Sequence, residues 1–422
     1  MSLPSRRRRA AGLVPILALV PALVLASCGG ASPSSSASAS GSATSTLAGS
    51  ATPGPEARWD QATVGLPAIV MAQASGAPLG QQCSPCHQSQ VDLMLGVAPM
   101  PGGYVAVGIQ EPPAIAVAWR STTGSTWSPI ATFPALAGSE ANAAVAAHGR
   151  IVVVGGGPDG SAAWTSSDAG ASWSTAPTTA DLAGPHGTAR MTTIVAWDGG
   201  FVSGGYQDVL ATGRPLAEIW TSADGLDWHR VSDTGPAFSG AHIYGLATDG
   251  KRLVAVGTTG DQFRGPADVW TSTDGQRWTA VTSSAFTTGA MAAVTAGGPG
   301  FVAVGSGAHD DQAAAWVSAD GSRWQSAPDS PAFAHYGLPI RMAAVTTSGP
   351  RLVAVGWMSS GANGTGAIWR SADGLAWSRE PDQTSLLGGE LTDVVARPDG
   401  LIGVGLGGYP DNDQAQVWLS PP

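Results

Sequence analysis

The sequence predicts an all-β fold, a seven-bladed β-propeller of four-stranded antiparallel blades whose ring is closed by an N-terminal strand. The main observation is a phrase that occurs seven times, in which a Trp is followed by any residue and then by Ser. The copies begin at Trp119, Trp164, Trp220, Trp270, Trp316, Trp369 and Trp418. They recur about every fifty residues, a period typical of solenoids, propellers and arrays. We number the repeats one to seven by these tryptophans.

Within a repeat, the pattern indicates four short strands. An apolar run is followed by a Gly-rich turn and a second strand, such as Phe301 to Gly305 in repeat five. A variable loop leads to a third strand that ends in the Trp phrase, and a tight turn leads to a fourth. Four strands in each repeat predict one antiparallel blade. Because a blade cannot bury both of its faces alone, the copies should pack around an axis.

The two ends of the repeat region predict how the ring closes. Repeat seven stops at Trp418-Leu419-Ser420 and therefore lacks a fourth strand. The segment RWDQATVGLPAI from Arg58 is similar to fourth strands elsewhere, such as RWTAVTSSAF from Arg277. We therefore expect residues 58–422 to form the propeller, with the N-terminal strand completing repeat seven and covering a sheet edge that would otherwise be exposed.

The first 57 residues are expected to direct export rather than to fold. Residues 1–27 have the pattern of a signal peptide, with a basic stretch at Arg6 to Arg9 and an apolar run from Leu13 to Leu25. Leu25-Ala26-Ser27-Cys28 resembles the bacterial lipobox, which implies lipidation of Cys28; an ordinary signal peptide and an uncleaved anchor are the alternatives. Residues 28–57 are rich in Ser, Ala, Gly and Pro and predict a flexible tether. The expected location is the outer face of the bacterial cytoplasmic membrane, with the lipid as the only membrane contact.

Composition argues against one class of partner. The formal net charge is −10, and Lys251 is the one lysine among 422 residues. Such a chain lacks the basic stripe that nucleic-acid binding needs. We expect a monomer that binds no nucleic acid.

Candidate binding residues come from aligning the first strands of the seven repeats on their central apolar residue. The aligned residues are Val97, Val145, Ile194, Leu246, Val294, Val345 and Val394. Four residues upstream stand Leu93, Ala141, Arg190, His242, Ala290, Arg341 and Glu390. In a propeller these positions surround one end of the central channel, which we call the mouth face. The four ionisable residues predict either a ring that binds a ligand or merely solvated strand ends.

The loops between second and third strands should reach the same face. They contain aromatic residues beside Arg, Asp and His, a mixture that suits a carbohydrate or peptide surface and also an ordinary polar rim. These residues are Tyr206, Asp208, Arg214, Phe263, Arg264, His309, Asp310, Asp311, Trp357, Tyr409, Asp411 and Asp413. Tyr244, two residues after His242, is a further candidate.

The segment Cys83-Ser84-Pro85-Cys86-His87 has three interpretations. It matches the attachment pattern of haem c, in which the two cysteines form thioethers and His87 is an axial ligand. Export to an oxidising compartment instead favours a disulfide between Cys83 and Cys86 that stiffens a loop. A metal or redox site is the third interpretation. We expect the disulfide and hence no cofactor or metal.

Five of the tight turns share a second pattern. Ser166 to Trp173 fits Ser-x-Asp-x-Gly-x-x-Trp, and four turns that begin at Ser222, Ser272, Ser318 and Ser371 are one residue shorter. These turns resemble the Asp-box of the BNR (bacterial neuraminidase) repeat family. We predict a structural role for the carboxylates, which accept backbone N–H groups within the turn. They are Asp168, Asp224, Asp274, Asp320 and Asp373.

From Arg58 to the C-terminus, the chain resembles the BNR/sialidase-like propellers and the seven-bladed photosystem II assembly factors, which bind proteins. Our first hypothesis is a lipoprotein that presents a rigid, non-catalytic propeller to a protein or carbohydrate ligand at the mouth face. The alternative that the resemblance implies is an exo-α-sialidase, with Arg190 and Arg341 on the substrate carboxylate, Tyr244 as nucleophile and Glu390 as its partner. A haem or redox protein using Cys83, Cys86 and His87 is the third hypothesis.

Overall fold

A computed structural model describes residues 58–65 and 91–421, apart from 135, 232–234, 261–264, 287–288, 310, 360–363 and 409–413. These residues belong to the larger of two compact units, Pro55–Pro422. Among them, no helix has the length and apolar character needed to cross a membrane.

The described residues form an all-β structure of short strands. The N-terminal segment contributes β1 (Asp60–Gln61) and β2 (Thr63–Val64). Repeat one contains β3 (Val91–Met100), β4 (Gly103–Glu111), β5 (Ile115–Ser121) and β6 (Thr126–Pro129). Repeat two contains β7 (Glu140–Ala147), β8 (Arg150–Gly157), β9 (Gly160–Ser166) and β10 (Ser174–Thr175). Repeat three contains β11 (Ala189–Trp197), β12 (Gly200–Val209), β13 (Arg214–Ser222) and β14 (Trp228–Arg230).

The remaining repeats follow the same order. Repeat four contains β15 (Ala241–Thr248), β16 (Leu253–Thr259), β17 (Ala267–Ser272) and β18 (Thr279–Val281). Repeat five contains β19 (Ala290–Gly297), β20 (Gly300–Ser306), β21 (Ala313–Ser318) and β22 (Gln325–Ser326). Repeat six contains β23 (Ile340–Ser348), β24 (Arg351–Ser359), β25 (Gly364–Ser371) and β26 (Trp377–Arg379). Repeat seven contains β27 (Glu390–Arg397), β28 (Gly400–Gly407) and β29 (Gln414–Ser420).

Within each repeat the strands pair antiparallel in sequence order. Repeats two and three are joined into one sheet by a single antiparallel residue pair between β11 and β8, Arg190 opposite Gly156. The first strand of each repeat packs against the first strand of the next, and β27 packs against β3. Antiparallel four-stranded sheets repeated radially in this way make a β-propeller, as the sequence predicted.

The residues 58–65 connect the sheet of the last repeat with that of the first. Strand β1 pairs antiparallel with β29, placing Asp60 opposite Leu419. Strand β2 then pairs parallel with β6, placing Val64 opposite Trp127. Trp59 is fully buried in a cluster with Trp418, Leu391 and other apolar side chains.

The core lies between neighbouring sheets and is built around the Trp of each repeated phrase. All seven of these tryptophans are fully buried. In repeats three to seven, the indole N–H donates to a carbonyl of the connection from the preceding repeat, as Trp220 does to Asp181 O at 2.8 Å. Trp119 of repeat one donates instead to Gly65 O at 3.1 Å. The connections contain α1 (Ala180–Ala183) and short 3-10 turns at Pro236–Phe238, Ser284–Phe286, Pro331–Phe333 and Thr384–Leu386.

Every first strand has a β-bulge at the same position, close to the end of the sheets that forms the mouth face. The register shifts two residues after Arg190 and Arg341, between Met191 and Thr193 and between Met342 and Ala344. A Gly of the second strand lies against each bulge: a Cβ on Gly205 would stand 2.0 Å from the carbonyl oxygen of Arg190. The bulge therefore requires Gly at this point in the second strand.

Candidate functional site

The mouth face is the end of the sheets where the first strands begin and the second strands finish. In each first strand, the residue two positions before the bulged residue occupies the same register. Its carbonyl group lies against the Gly of the second strand. These residues are Leu93, Glu140, Arg190, His242, Ala290, Arg341 and Glu390. The structure therefore brings Arg190, His242, Arg341 and Glu390 into equivalent positions, as predicted.

The structure corrects the alignment in repeat two. Ala141 pairs with Gly155, as Met191 pairs with Gly205, so Ala141 belongs one position later and the equivalent of Arg190 is Glu140. The sequence alignment pairs Val145 with Ile194, but the structural counterpart of Ile194 in repeat two is Ala144. The sequence had a signal that would have found Glu140. Each of these first strands ends at a two-residue turn, His148-Gly149 after Ala147 and Asp198-Gly199 after Trp197. Glu140 and Arg190 both lie seven residues before the end of their strand.

Glu140 and Arg190 form an ion pair between neighbouring first strands. The Glu140 Oε1 accepts a hydrogen bond from Arg190 Nη1 at 2.9 Å, and both side chains are mostly buried. The guanidinium also lies 5.7 Å from the ring centroid of Tyr206, directly across the β11–β12 pair. Burial raises the pKa of the Tyr206 phenol to about 12, although the Arg190 charge opposes this shift. Tyr206 is therefore a neutral hydrogen-bonding group at any physiological pH.

Aromatic rings continue this surface into repeat four. The His242 imidazole meets the Tyr206 ring edge-on, with centroids 4.5 Å apart. Its other side stacks on Tyr244, with centroids 5.5 Å apart and an interplanar angle of 11°. Tyr206, His242 and Tyr244, which the sequence analysis names as separate candidates, thus form one aromatic cluster beside Arg190.

A second ion pair of the same kind joins repeats six and seven. Arg341 Nη2 donates to Glu390 Oε1 at 2.5 Å, and the guanidinium lies 5.3 Å from the Trp357 ring centroid. Trp357 is the cross-strand neighbour of Arg341, just as Tyr206 is the neighbour of Arg190. The mouth face therefore has two similar units, each composed of an Arg, a Glu from the adjacent repeat and an aromatic ring against the guanidinium.

These pairs bear on the sialidase hypothesis. A sialidase binds the substrate carboxylate with arginines, but Arg190 and Arg341 each already engage a protein carboxylate. Glu390 is engaged by Arg341, whereas Tyr244 stacks on His242 in another part of the face. Among the described residues, the mouth face offers two compensated Arg–Glu pairs with aromatic rings beside them.

The loops of the mouth face are only partly described. Asp208, Arg214, His309 and Asp311 are described, and His309 is exposed. Other predicted loop residues lie outside the described residues: Phe263, Arg264, Asp310, Tyr409, Asp411 and Asp413. Cys28, Cys83, Cys86 and His87 also lie outside them, as do the predicted signal peptide and tether.

The five predicted turn carboxylates lie at the opposite end of the sheets, because each third strand runs from the mouth face to its turn. We call this end the Asp-turn face, defined by Asp168, Asp224, Asp274, Asp320 and Asp373. Asp274 Oδ1 accepts the N–H groups of Gln276 and Arg277 at 2.8 and 2.7 Å, and Asp224, Asp320 and Asp373 bind equivalent groups. In the longer turn, hydrogen bonds from the Ser172 side chain and backbone lower the pKa of Asp168 to about 2. Each carboxylate is thus occupied by its own turn.

These turns also join neighbouring repeats. In the turns that begin at Ser166, Ser222, Ser272 and Ser371, the Ser Oγ accepts the Gly N–H, as Ser222 Oγ does from Gly225 at 2.9 Å. Gly225 has a φ of 76°, and a Cβ there would stand 2.6 Å from Val152 of repeat two. Gly is required for both the backbone conformation and this close packing. Within the described residues, no group of three His, Cys, Asp or Glu side chains is placed to hold a metal ion.

Radially repeated four-stranded antiparallel sheets define the molecule as a β-propeller protein. A family model for the DUF6242 beta propeller domain matches residues 121–389, well over half of the chain. The chain belongs to this family.

Solved structures of other propellers show the same fold at low sequence identity. YCF48 bound to D1 peptide has a TM-score of 0.52 and 15% identity, covering 79% of this chain and 92% of its own. YCF48 from Cyanidioschyzon merolae has a TM-score of 0.51 and 14% identity, covering 86% of this chain and 98% of its own. No curated protein sequence matches the chain.

Proposed function

We propose that this chain is a binding protein whose mouth face takes up a polypeptide segment of a partner protein. The observation that supports this best is the pair of Arg–Glu units at one register, each with an aromatic ring against its guanidinium. Hydrogen-bond donors, acceptors and aromatic area on one surface are usual components of a protein-recognition site. A carbohydrate ligand is the alternative that the experiment below separates.

The comparisons make a polypeptide a sensible first class of ligand. One propeller of similar fold is described as bound to a peptide. At 15% identity this similarity extends to the fold alone, so it supports the choice of probe rather than the identity of the partner. Binding is also favoured over sialidase-type hydrolysis, because both candidate arginines already engage glutamates.

The same proposal includes a closed ring of seven blades, one for each repeat, with β1 as the fourth strand of the last blade. The pairing of β1 with β29 and the packing of β27 on β3 support this architecture. Two hydrogen bonds across that junction support it as well. Thr392 Oγ1 donates to Met94 O at 2.7 Å, and Asp393 Oδ2 accepts from Val97 N at 2.8 Å.

We also propose that Cys28 is lipidated and that residues 28–57 tether the propeller to the outer face of the cytoplasmic membrane. The support is the lipobox-like sequence directly after an apolar run. A Cys28→Ala variant should be released as soluble protein, whereas a variant that stays with membranes would place the anchor elsewhere.

Mass spectrometry of Cys83 and Cys86, with a visible absorption spectrum, would distinguish a disulfide from haem c.

The ligand class can be tested with three probes on the full-length protein. We expect a displayed library of random peptides to yield enriched binders, and neither a glycan array nor a fluorogenic sialoside to give a signal. The Arg190→Ala/Arg341→Ala variant should lose the selected peptides at a temperature where circular dichroism shows it folded.

The matched control is Arg277→Ala/Arg323→Ala on the Asp-turn face, where both side chains are exposed. This control should bind the peptides normally. Hydrolysis of the sialoside would show that the protein is a hydrolase and would overturn the proposal. Glycan binding without peptide binding would show that the ligand is a carbohydrate rather than a polypeptide. Loss of binding in the control alone would move the site to the Asp-turn face.

A further inference from the structure

The large apolar side chains that are exposed among the described residues all lie at the mouth end of the sheets. Four large apolar or aromatic residues there are exposed: Leu136 (37%), Leu210 (80%), Tyr336 (93%) and Leu387 (57%). Three precede a first strand, and Leu210 follows the second strand β12, so all four lie at the mouth end of the sheets. Single exposed apolar residues are ordinary on a protein surface, but these four lie at the same end of the sheets as both Arg–Glu pairs.

The four residues are also distributed in a regular way. Leu136 lies just before the strand of Glu140, and the Leu210 backbone N–H donates to His186 O in the segment that leads to Arg190. Tyr336 lies just before the strand of Arg341, and Leu387 just before Glu390. Each Arg–Glu pair thus has two exposed apolar residues at the same end of the sheets, in the segments next to its own strands.

One of these side chains is held in an unusual backbone conformation. Tyr336 has a φ of 50°, in the left-handed region that bulky residues seldom adopt. The turn around it is closed by a hydrogen bond from Leu338 N to His335 O at 2.7 Å. The turn therefore places Tyr336 in a strained backbone conformation with its ring exposed to solvent, and such strain is often found at functional sites.

The charge of each unit narrows the ligand chemistry. The Arg190 charge is compensated by Glu140, and the Arg341 charge by Glu390. A free anion or an acidic glycan would have to compete with these protein carboxylates. Peptide groups are neutral and offer both a donor and an acceptor, so they match an Arg–Glu pair without displacing either member. Apolar side chains of the peptide would cover the exposed leucines and Tyr336.

We propose that the mouth face has two equivalent subsites and that one polypeptide of a partner protein occupies both. The first subsite consists of Leu136, Glu140, Arg190, Tyr206 and Leu210. The second consists of Tyr336, Arg341, Trp357, Leu387 and Glu390. This inference rests on the proposed function and adds that the ligand is a net-neutral, apolar-bearing segment bound bivalently. Because the second contact is intramolecular, losing either subsite should weaken binding strongly.

The test uses 24-residue peptides selected from a displayed random library against the full-length protein. Such a peptide reaches about 80 Å when extended, compared with about 50 Å across a domain of this size. The variants Leu136→Ser/Leu210→Ser and Tyr336→Ser/Leu387→Ser change exposed side chains and should leave the melting temperature unaltered. The control Lys251→Ser/Arg277→Ser alters the other end of the sheets.

We expect each subsite variant to weaken a selected peptide by about tenfold or more, and the control to bind like the wild type. A half-length peptide should bind more weakly and respond to only one of the two variants. If one variant matters for every long peptide and the other for none, the two-subsite inference is wrong while the proposed function stands. The same holds if only Arg190→Ala/Arg341→Ala weakens binding. If no peptide is enriched, or only the control weakens binding, the proposed function fails as well.

Discussion

The Glu140 carboxylate accepts a hydrogen bond from the Arg190 guanidinium at 2.9 Å across the boundary between repeats two and three. A second pair joins Arg341 of repeat six to Glu390 of repeat seven, with the order of Glu and Arg along the chain reversed. At both places the charge of an Arg on the mouth face is compensated by a carboxylate of a neighbouring repeat. The two pairs also link neighbouring sheets at the point where the first strands begin.

The first prediction concerns the strength of this link. Arg190→Ala should lower the free energy of unfolding by about 2 kcal/mol, because it leaves the mostly buried Glu140 carboxylate without its partner. A double-mutant cycle with Glu140→Ala should give a coupling energy of about 1–3 kcal/mol by urea denaturation. A coupling energy within experimental error of zero would show that the pair contributes nothing to stability.

The second prediction concerns the N-terminal segment. Trp59 is fully buried against repeat seven, so Trp59→Ala should cost about 3–5 kcal/mol. Deletion of residues 58–65 should cost more and should expose the edges of β29 and β6 to aggregation. Differential scanning calorimetry and light scattering measure both effects, with Trp59→Phe as the milder control. Melting unchanged by the deletion would contradict closure of the ring by this segment.

The third prediction concerns the Asp turns. Asp274→Ala removes an acceptor for two backbone N–H groups and should destabilise the fold by about 1 kcal/mol, since the carboxylate is partly solvated. Asp274→Asn retains one acceptor oxygen and should lose less. Binding of the selected peptides should be the same for both variants. Peptide binding lost at full stability would instead make the turn part of a site.

The fourth prediction concerns pH and a carboxyl group that the sequence did not single out. Glu218 lies buried on β13, with its carboxylate 3.7 Å from the Nε of Arg230. Burial raises the pKa of Glu218 from near 4.5 to about 7, although Arg230 opposes the shift. The folded state therefore binds this proton more tightly than the unfolded state does. Its contribution to stability is complete below about pH 4.5 and is lost as the pH rises through 7.

Glu218→Gln should remove much of this dependence. We expect the variant to be more stable than the wild type by about 1–2 kcal/mol at pH 8 and equal to it at pH 4.5. Asp393, whose pKa burial raises to about 6, acts in the same direction and should leave a smaller slope. The lowered pKa values of Asp168 and Asp320, both about 2, act at more acidic pH and do not enter this window. Wild type and variant with identical pH profiles would exclude the assigned role of Glu218.

The repeat grammar predicted the fold well because the features it uses are local. Each Trp phrase, its Ser-x-Asp turn and the Gly that follows lie within about ten residues, and hydrogen bonds inside the turn satisfy them. Antiparallel pairing within a repeat follows from the short connections between its strands. The propeller class and the four-stranded sheets could therefore be predicted from the sequence alone.

The candidate site was predicted only in part. Register along the repeats found Arg190, His242, Arg341 and Glu390, but a shift of one residue in repeat two replaced Glu140 by Ala141. In a strand such a shift exchanges the side chains on its two faces, so a small error hides a charged residue entirely. The two-residue turn at His148-Gly149 fixed the register, and counting from it rather than from the apolar residues would have avoided the error.

The sequence by itself determined the repeating strands and the turns whose carboxylates accept backbone N–H groups. It also determined the position in the first strand at which polar residues lie on the mouth face. Only the tertiary structure decided that Arg190 pairs with Glu140 and Arg341 with Glu390. It also decided that the rings of Tyr206 and Trp357 lie against the guanidinium groups. The exposure of Tyr336 and three leucines at the same end of the sheets is a third feature of this kind. The physical reason is distance along the chain. The paired residues are about fifty positions apart, so their contact depends on how neighbouring sheets pack and twist rather than on any local propensity.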